Sequence, residues 1–128
     1  MTKRSRERVE HDEQGFTLIE LLVVIIILSV LLAIAIPSYL SFRSRANASA
    51  AQANVRASVP GMEAYNADHA TGYVGVNLPK LQGSYDAGIK NVTIRAATQG
   101  GYCLQNTVPG TVTYHKSGPS GDIKSGAC

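Results

Sequence analysis

Few side chains in this 128-residue chain could do chemistry, and one of them is a carboxylate inside an apolar run. Glu20 lies near the start of GFTLIELLVVIIILSVLLAIAIP, which extends from Gly15 to Pro37. A charged group at the centre of a membrane helix costs about 2.5–3.5 kcal/mol on insertion scales. Glu20 therefore needs either a position at the membrane interface or a cationic partner, and it is the first candidate for a functional side chain.

The other reactive side chains do not form a catalytic pattern. His69 and His115 are isolated, and the chain has no phosphate-binding loop, no paired acids at a useful spacing and no nucleophile with a base. Cys103 and Cys128 are most simply a disulfide in an exported domain, since a metal site would have only His115 as a further nearby ligand. We expect no enzyme, no cofactor and no metal site.

The apolar run itself could be one of three kinds of segment. Residues 16–36 would form a helix about 31 Å long, which matches a hydrocarbon core of about 30 Å. A secretory signal could be cut at Ala33-Ile34-Ala35, but its apolar region is usually only about 7–15 residues long. A plain transmembrane anchor is the second possibility, although basic residues stand on both sides of the run: Lys3, Arg4, Arg6 and Arg8 before it, and Arg43 and Arg45 after it.

The third possibility explains the residues that come before the run as well. Residues 1–15 are polar apart from Met1 and Val9, and they lead directly into Gly15-Phe16-Thr17-Leu18-Ile19-Glu20. A charged leader, this motif and a hydrophobic helix together resemble the type IV prepilin family. The resemblance covers about residues 15–45 closely. It implies that residues 1–15 are a leader, which a dedicated membrane peptidase removes by cutting after Gly15 and methylating the new N-terminal Phe16.

Cleavage would give Glu20 a cationic partner, because it creates an amine on Phe16. The two groups are four residues apart on one helix, so they could pair within one chain, or the amine could meet Glu20 of a neighbouring copy. A paired buried charge is tolerated and an unpaired one is strongly disfavoured. We therefore expect Glu20 to set the axial alignment of assembling copies. The simpler alternative is a carboxylate that rests at the membrane interface.

The helix is expected to continue well beyond the apolar run. Residues 16–36 would be its hydrophobic part, for a membrane or a filament core, and residues 37–67 an Ala-rich amphipathic part. Its apolar stripe consists of Ala48, Ala51, Val55, Val59 and Met62. Pro37, where the prepilin family carries a kinking proline, and Pro60 should each kink the helix. A full break at Pro60-Gly61 is the alternative.

Residues 68–128 have the composition of a small globular head. Gly-rich and Asn-rich loops come first, and three strand signals follow at residues 92–96, 102–105 and 112–115. An antiparallel three-stranded sheet lying across the helix stripe is the economical arrangement. The expected fold class is α+β and pilin-like: a long kinked N-terminal helix packed on a small antiparallel sheet, with a disulfide-closed C-terminal segment.

The resemblance implies a structural subunit that polymerises with copies of itself. Its partners would be the prepilin peptidase and methyltransferase, membrane lipid before assembly and, indirectly, an assembly ATPase and a platform protein. The precursor would cross the inner membrane once with its head outside, and the assembled filament would be extracellular.

Two related functions remain open. A pseudopilin of type II secretion would typically carry a calcium site, but the tail offers only Asp122, with Asp86 distant. A minor pilin could bind a surface, or bind nucleic acid weakly through a basic patch with nearby aromatic rings. The residues of that patch would be Lys90, Arg95, Lys116 and Lys124 with Tyr102 and Tyr114.

Overall fold

The computed structural model describes residues 15–110 and 112–128, so the predicted leader lies outside the described residues apart from Gly15. It divides after Ser38 into two compact units, which are described separately. The elements in chain order are α1 (Leu18–Asp68), α2 (Leu78–Ser84), β1 (Val92–Ala97), β2 (Tyr102–Asn106), β3 (Tyr114–Gly118) and β4 (Ile123–Ser125). The predicted α+β class, with a long helix, a small antiparallel sheet and a disulfide, is confirmed.

Helix α1 is a single element of 51 residues that continues through both prolines. The alternative of a full break at Pro60-Gly61 is therefore wrong. Pro37 and Pro60 are both exposed. Each removes one backbone hydrogen-bond donor from the helix, and neither ring is buried in a core. The Ala-rich stretch before Pro60, at residues 46–57, has a strong helix propensity that favours continuation. The kinks at the two prolines stay a prediction.

The C-terminal unit (Tyr39–Cys128) has a core to which α1 contributes one face. The predicted stripe is correct for Ala51, Val55 and Met62, which are buried, whereas Ala48 and Val59 are only half-buried. Gly61 is also buried, and a Cβ there would lie 2.7 Å from Cδ1 of Ile89. Glycine at this position therefore lets the helix approach the loop before β1. The core cluster consists of Val55, Met62, Tyr65, Tyr73, Val76, Leu81, Ile89, Val92, Tyr102 and Leu104.

Helix α2 corrects the prediction that the segment following α1 is only loop. Asn77 is its N-cap, and the Asn77 side-chain oxygen accepts a hydrogen bond from the Lys80 amide at 3.0 Å. Pro79 follows in the first turn, where a proline loses no helical hydrogen bond. Asn77 followed by Pro79 is thus a helix start rather than a turn. The short helix buries Leu81 in the core.

The sheet is a four-stranded antiparallel meander in the order β1-β2-β3-β4, so the prediction of three strands is corrected to four. The third strand begins at Tyr114 rather than Val112, since Tyr114, opposite Ser125, is its first residue to pair with a neighbouring strand. The Tyr114 amide also donates to the Asn106 side-chain oxygen at the end of β2. The added strand, β4, is three residues long and pairs Ile123 with Lys116. So short a strand within a Gly-rich and Ser-rich tail carries no detectable alternation.

The predicted disulfide joins Cys103 on β2 to Cys128, with their Cα atoms 5.9 Å apart and a sequence separation of 25. The Cys128 amide also donates to Oε1 of Gln105 at 3.2 Å. Both contacts attach the chain terminus to β2, so the tail that contains β4 is anchored at its far end.

A second tether joins α1 to the rest of the C-terminal unit through one carboxylate. Glu63 accepts hydrogen bonds from the hydroxyls of Tyr73 at 2.9 Å and Tyr102 at 3.4 Å. The two tyrosine rings pack edge to face with centroids 4.7 Å apart, and both are buried. Burial is the main cause of a raised Tyr73 pKa, and the hydrogen bond to Glu63 and the charge of its carboxylate add to it, which together raise the pKa of Tyr73 to about 12. Burial and then Glu63 also raise the pKa of Tyr102.

These raised pKa values predict a loss of stability at alkaline pH. The stabilising contribution of a raised tyrosine pKa is complete below the unfolded value of about 10, and it is lost as the pH rises through the folded value of about 12. We therefore expect the free energy of unfolding to fall between about pH 10 and pH 12. Chemical unfolding at stepped pH, with phenolate absorbance recorded alongside, measures both quantities.

The Glu63→Gln variant is the matched test of the cause, because it keeps an acceptor and removes the charge. It should lower the pKa of Tyr73 towards 10, while burial keeps that pKa above 10. Late-titrating tyrosines whose pKa does not move in this variant would contradict the role given to Glu63.

Removing the disulfide should loosen the tail before the rest of the C-terminal unit. Closing a loop of about 26 residues contributes about 3.5 kcal/mol in the chain-entropy model. The free energy of unfolding of the Cys103→Ser/Cys128→Ser variant should therefore be lower by about that amount, and its unfolding midpoint should move to a lower denaturant concentration. Hydrogen exchange should show the largest loss of protection in β4. Equal loss across β1 and β2 would contradict a role confined to the tail.

Candidate functional site

The start of α1 is closed by a reciprocal pair of hydrogen bonds between Thr17 and Glu20. The Thr17 amide donates to Oε2 of Glu20 at 2.9 Å, and the Glu20 amide donates to Oγ1 of Thr17 at 3.3 Å. This is a capping box, in which the side chain of each residue accepts a hydrogen bond from the other residue's backbone amide, which would otherwise be unpaired at the helix start. This role of Glu20 was not among those predicted for it, although the spacing Thr-x-x-Glu before an apolar run signals it.

The two residues predicted to flank the cleavage point lie just outside this cap. Gly15 and Phe16 precede the helix, and 83% of Phe16 is exposed. Among the residues that the structure describes, no heavy atom outside its chain neighbours lies within 4 Å of the place where a Cβ on Gly15 would stand. The peptide bond between Gly15 and Phe16 is therefore in an open, non-helical segment, as a protease substrate requires.

Phe16 and Glu20 line one shallow groove at the start of the apolar helix. The groove has a volume of about 620 Å³, and its lining residues are Phe16, Ile19, Glu20, Leu21, Val23 and Val24. The structure thus brings together the predicted methylation site and the predicted assembly carboxylate. Apart from Glu20, every lining side chain is apolar.

The helix that follows is apolar and exposed on all its faces. It is long and apolar enough to cross a membrane, and every residue from Leu18 to Pro37 is exposed. Ser29 interrupts the run, but its hydroxyl donates to the Ile25 carbonyl at 2.6 Å, so the polar group is hydrogen-bonded within its own helix. The large exposed side chains include Leu18, Ile19, Leu21, Leu22, Val23, Val24, Ile25, Ile26, Ile27, Leu28, Val30, Leu31, Leu32, Ile34 and Ile36. A surface of this size marks an interaction site with lipid or protein.

The basic residues considered for nucleic-acid binding do not form one patch with the two tyrosines. Tyr102 is buried and its hydroxyl donates to Glu63, so its face is not available for stacking on a base. Arg95 lies on β1 and Lys124 on β4, at opposite edges of the sheet. The ammonium group of Lys116 on β3 donates a hydrogen bond to the Gly121 carbonyl.

The remaining reactive groups each have a structural contact. The His69 ring stacks on Tyr65 with centroids 3.9 Å apart, and Nδ1 of His115 lies 2.9 Å from the Gly126 carbonyl oxygen. Both cysteines are in the disulfide. Within residues 15–110 and 112–128, no three His, Cys, Asp or Glu side chains come together as a possible metal site.

The similarity to known proteins extends beyond the N-terminal motif. Residues 11–36 match the family described as the prokaryotic N-terminal methylation motif. The type IV major pilin protein PilA of Myxococcus xanthus is 44% identical over 50 residues, which are 39% of this chain and only 23% of that pilin. The type IV wide pilus major component PilA4 of Thermus thermophilus is 36% identical over 95 residues, or 73% of this chain and 72% of that protein. Because the second match includes most of both chains, this chain belongs to the type IV pilin family.

Proposed function

We propose that this chain is a structural subunit of a type IV pilus. The observation that carries the proposal is the exposed apolar part of α1, which begins directly after an open Gly15-Phe16 peptide bond in a chain related to major pilins. The precursor crosses the inner membrane once, with the C-terminal unit outside. A prepilin peptidase cuts after Gly15 and methylates Phe16, and the apolar helix then packs against copies of itself in an extracellular filament.

The energetics of this transfer favour assembly by an external machine. In the bilayer and in a helical bundle the same apolar side chains are covered, first by lipid and then by other helices. Association of helices in lipid has no hydrophobic driving force and rests on packing and polar contacts. The net free-energy change is therefore small, and work from an assembly ATPase acting through a platform protein supplies the direction.

Processing is tested by producing the chain in a host with a prepilin peptidase and recording the mass of the mature protein. We expect an N-methylated chain that begins at Phe16, and sheared filaments that contain it in electron micrographs. Gly15→Val should abolish both products, because the peptidase no longer finds the small residue before the cut.

Gly15→Val is a matched control, since a Cβ at this position would contact no atom of the described residues and the described fold should be unchanged. Cleavage elsewhere, such as after Ala35, or normal filaments from the Gly15→Val chain would overturn the proposed function.

Glu20 is proposed as the residue that aligns subunits, through an ion pair with the amine of Phe16 on the same or a neighbouring chain. Its capping bonds to Thr17 supply the simpler explanation for a carboxylate here. The two explanations differ in whether charge matters. Glutamine at this position still completes a capping box, but it is neutral and cannot form an ion pair with an amine.

Two substitutions therefore separate alignment from capping. Glu20→Gln and Glu20→Ala should both be cut after Gly15, and both should yield at least about tenfold fewer filaments, because a buried amine without its partner costs about 3–5 kcal/mol. Filament yield from sheared cells and the mature mass measure the two steps. If Glu20→Gln assembles normally and only Glu20→Ala fails, the carboxylate serves the helix cap and the ion-pair proposal is wrong.

A further inference from the structure

The residues of α1 that follow the apolar run form an exposed surface of aromatic and basic side chains. Tyr39 is 63% exposed and Phe42 is 71% exposed, and Arg43 and Arg45 are exposed as well. We call these four residues the aromatic–basic collar. Within the part of the chain that the structure describes, neither arginine side chain forms an ion pair or a hydrogen bond. Two guanidinium groups and two large rings are thus left for a partner outside the chain.

We propose that the aromatic–basic collar binds the anionic phospholipid headgroups of the outer leaflet of the membrane that the precursor crosses. The inference rests on the membrane placement within the proposed function, and it adds a specific lipid class and the residues that recognise it. Guanidinium groups pair with phosphate in a bidentate manner, and aromatic rings are enriched where hydrocarbon meets water.

The spacing along α1 places the collar where headgroups would be. Tyr39, Arg43 and Arg45 lie three, seven and nine residues after Ile36, the last residue of the apolar run. Along the helix axis these separations are about 5, 10 and 13 Å. The headgroup layer occupies about 5–7 Å on each side of the hydrocarbon core. Side chains on a helix lean towards its N-terminus, which here means back towards the bilayer. Long arginine side chains can therefore reach phosphates that lie below their own Cα atoms.

The angular arrangement also suits a flat surface. At about 100° per residue, the four collar residues fall within about 160° of the helix circumference, so a tilted helix could present all of them to one leaflet. The same arginines explain the weak charge asymmetry around the apolar run. Basic residues on the outer side of a membrane helix oppose the orientation that the positive-inside rule favours. Binding of anionic phospholipid would explain why Arg43 and Arg45 are present there.

The test measures lipid selectivity of the full chain, reconstituted in phosphatidylcholine vesicles. Trace spin-labelled phosphatidylglycerol or spin-labelled phosphatidylcholine reports, by electron paramagnetic resonance, the relative association of each lipid with the protein. We expect phosphatidylglycerol to be preferred, and Arg43→Gln/Arg45→Gln to reduce the preference severalfold, with about fivefold for each arginine as the upper bound. High salt should reduce the preference of the native chain.

Matched variants separate the collar from charge in general. Arg43→Lys/Arg45→Lys keeps both charges and should retain most of the preference, whereas Arg56→Gln removes an exposed arginine further along α1 and should leave it unchanged. All variants share the basic residues of the leader, so those contribute equally to every measurement. An unchanged preference in Arg43→Gln/Arg45→Gln, or an equal loss in Arg56→Gln, would overturn the proposal.

A second measurement locates the collar by depth. The chain has no tryptophan, so Tyr39→Trp introduces a single fluorescent reporter. Its emission should be quenched more by a headgroup quencher than by lipids brominated deep in the acyl chains, and the reverse result would overturn the proposal.

If the arginine variants instead lose binding of a DNA oligonucleotide while lipid selectivity is unchanged, the collar binds nucleic acid and the lipid proposal is wrong. None of these measurements requires filaments, so they can fail while pilus assembly succeeds.

Discussion

Exposing the apolar side chains of the first half of α1 to water is energetically unfavourable, and the organisation of the chain follows from this. Burying one large aliphatic side chain is worth about 1.5–3 kcal/mol, and the exposed run contains many such side chains in succession. The buried residues of α1 all lie at Ala51 or beyond, so the run contributes nothing to the core. Its partner must come from outside the chain, and lipid and other copies of the same helix are the two apolar surroundings available to a pilin.

The C-terminal unit consequently folds without help from the most apolar part of the sequence. Its residues 39–128 are few for a self-sufficient core, and chains of this size commonly depend on covalent or polar reinforcement. Three devices supply that reinforcement: the disulfide that returns the tail to β2, the Glu63 carboxylate that joins two buried tyrosines to α1, and the Asn77 cap that starts α2. Each device joins segments far apart in sequence or starts an element too short to form alone.

The features predicted from sequence are those with strong local signals. The apolar run and the Gly-Phe-Thr-Leu-Ile-Glu motif are each continuous in sequence, and the two cysteines of the chain leave one possible pairing within it. The long helix and the disulfide are confirmed. Helix α2 and strand β4 were missed, because seven and three residues are too few for a periodic pattern, and tertiary pairing decides their state. Ala48 and Val59 are less buried than predicted, since helical spacing alone cannot say where the covering surface ends.

The cap at the start of α1 and the ion pair proposed for Glu20 are compatible, and together they would make cleavage a precondition for assembly. A carboxylate can accept about four hydrogen bonds, and the Thr17 amide uses one of them while holding the side chain in place. Before cleavage the nitrogen of Phe16 is a neutral amide, so a bundle of precursors would bury Glu20 without a cation. After cleavage the same nitrogen is an ammonium group one residue from the cap, beside a carboxylate that is already oriented. The penalty for burying Glu20 would then fall only on uncut chains, which would exclude them from the filament without any separate recognition step.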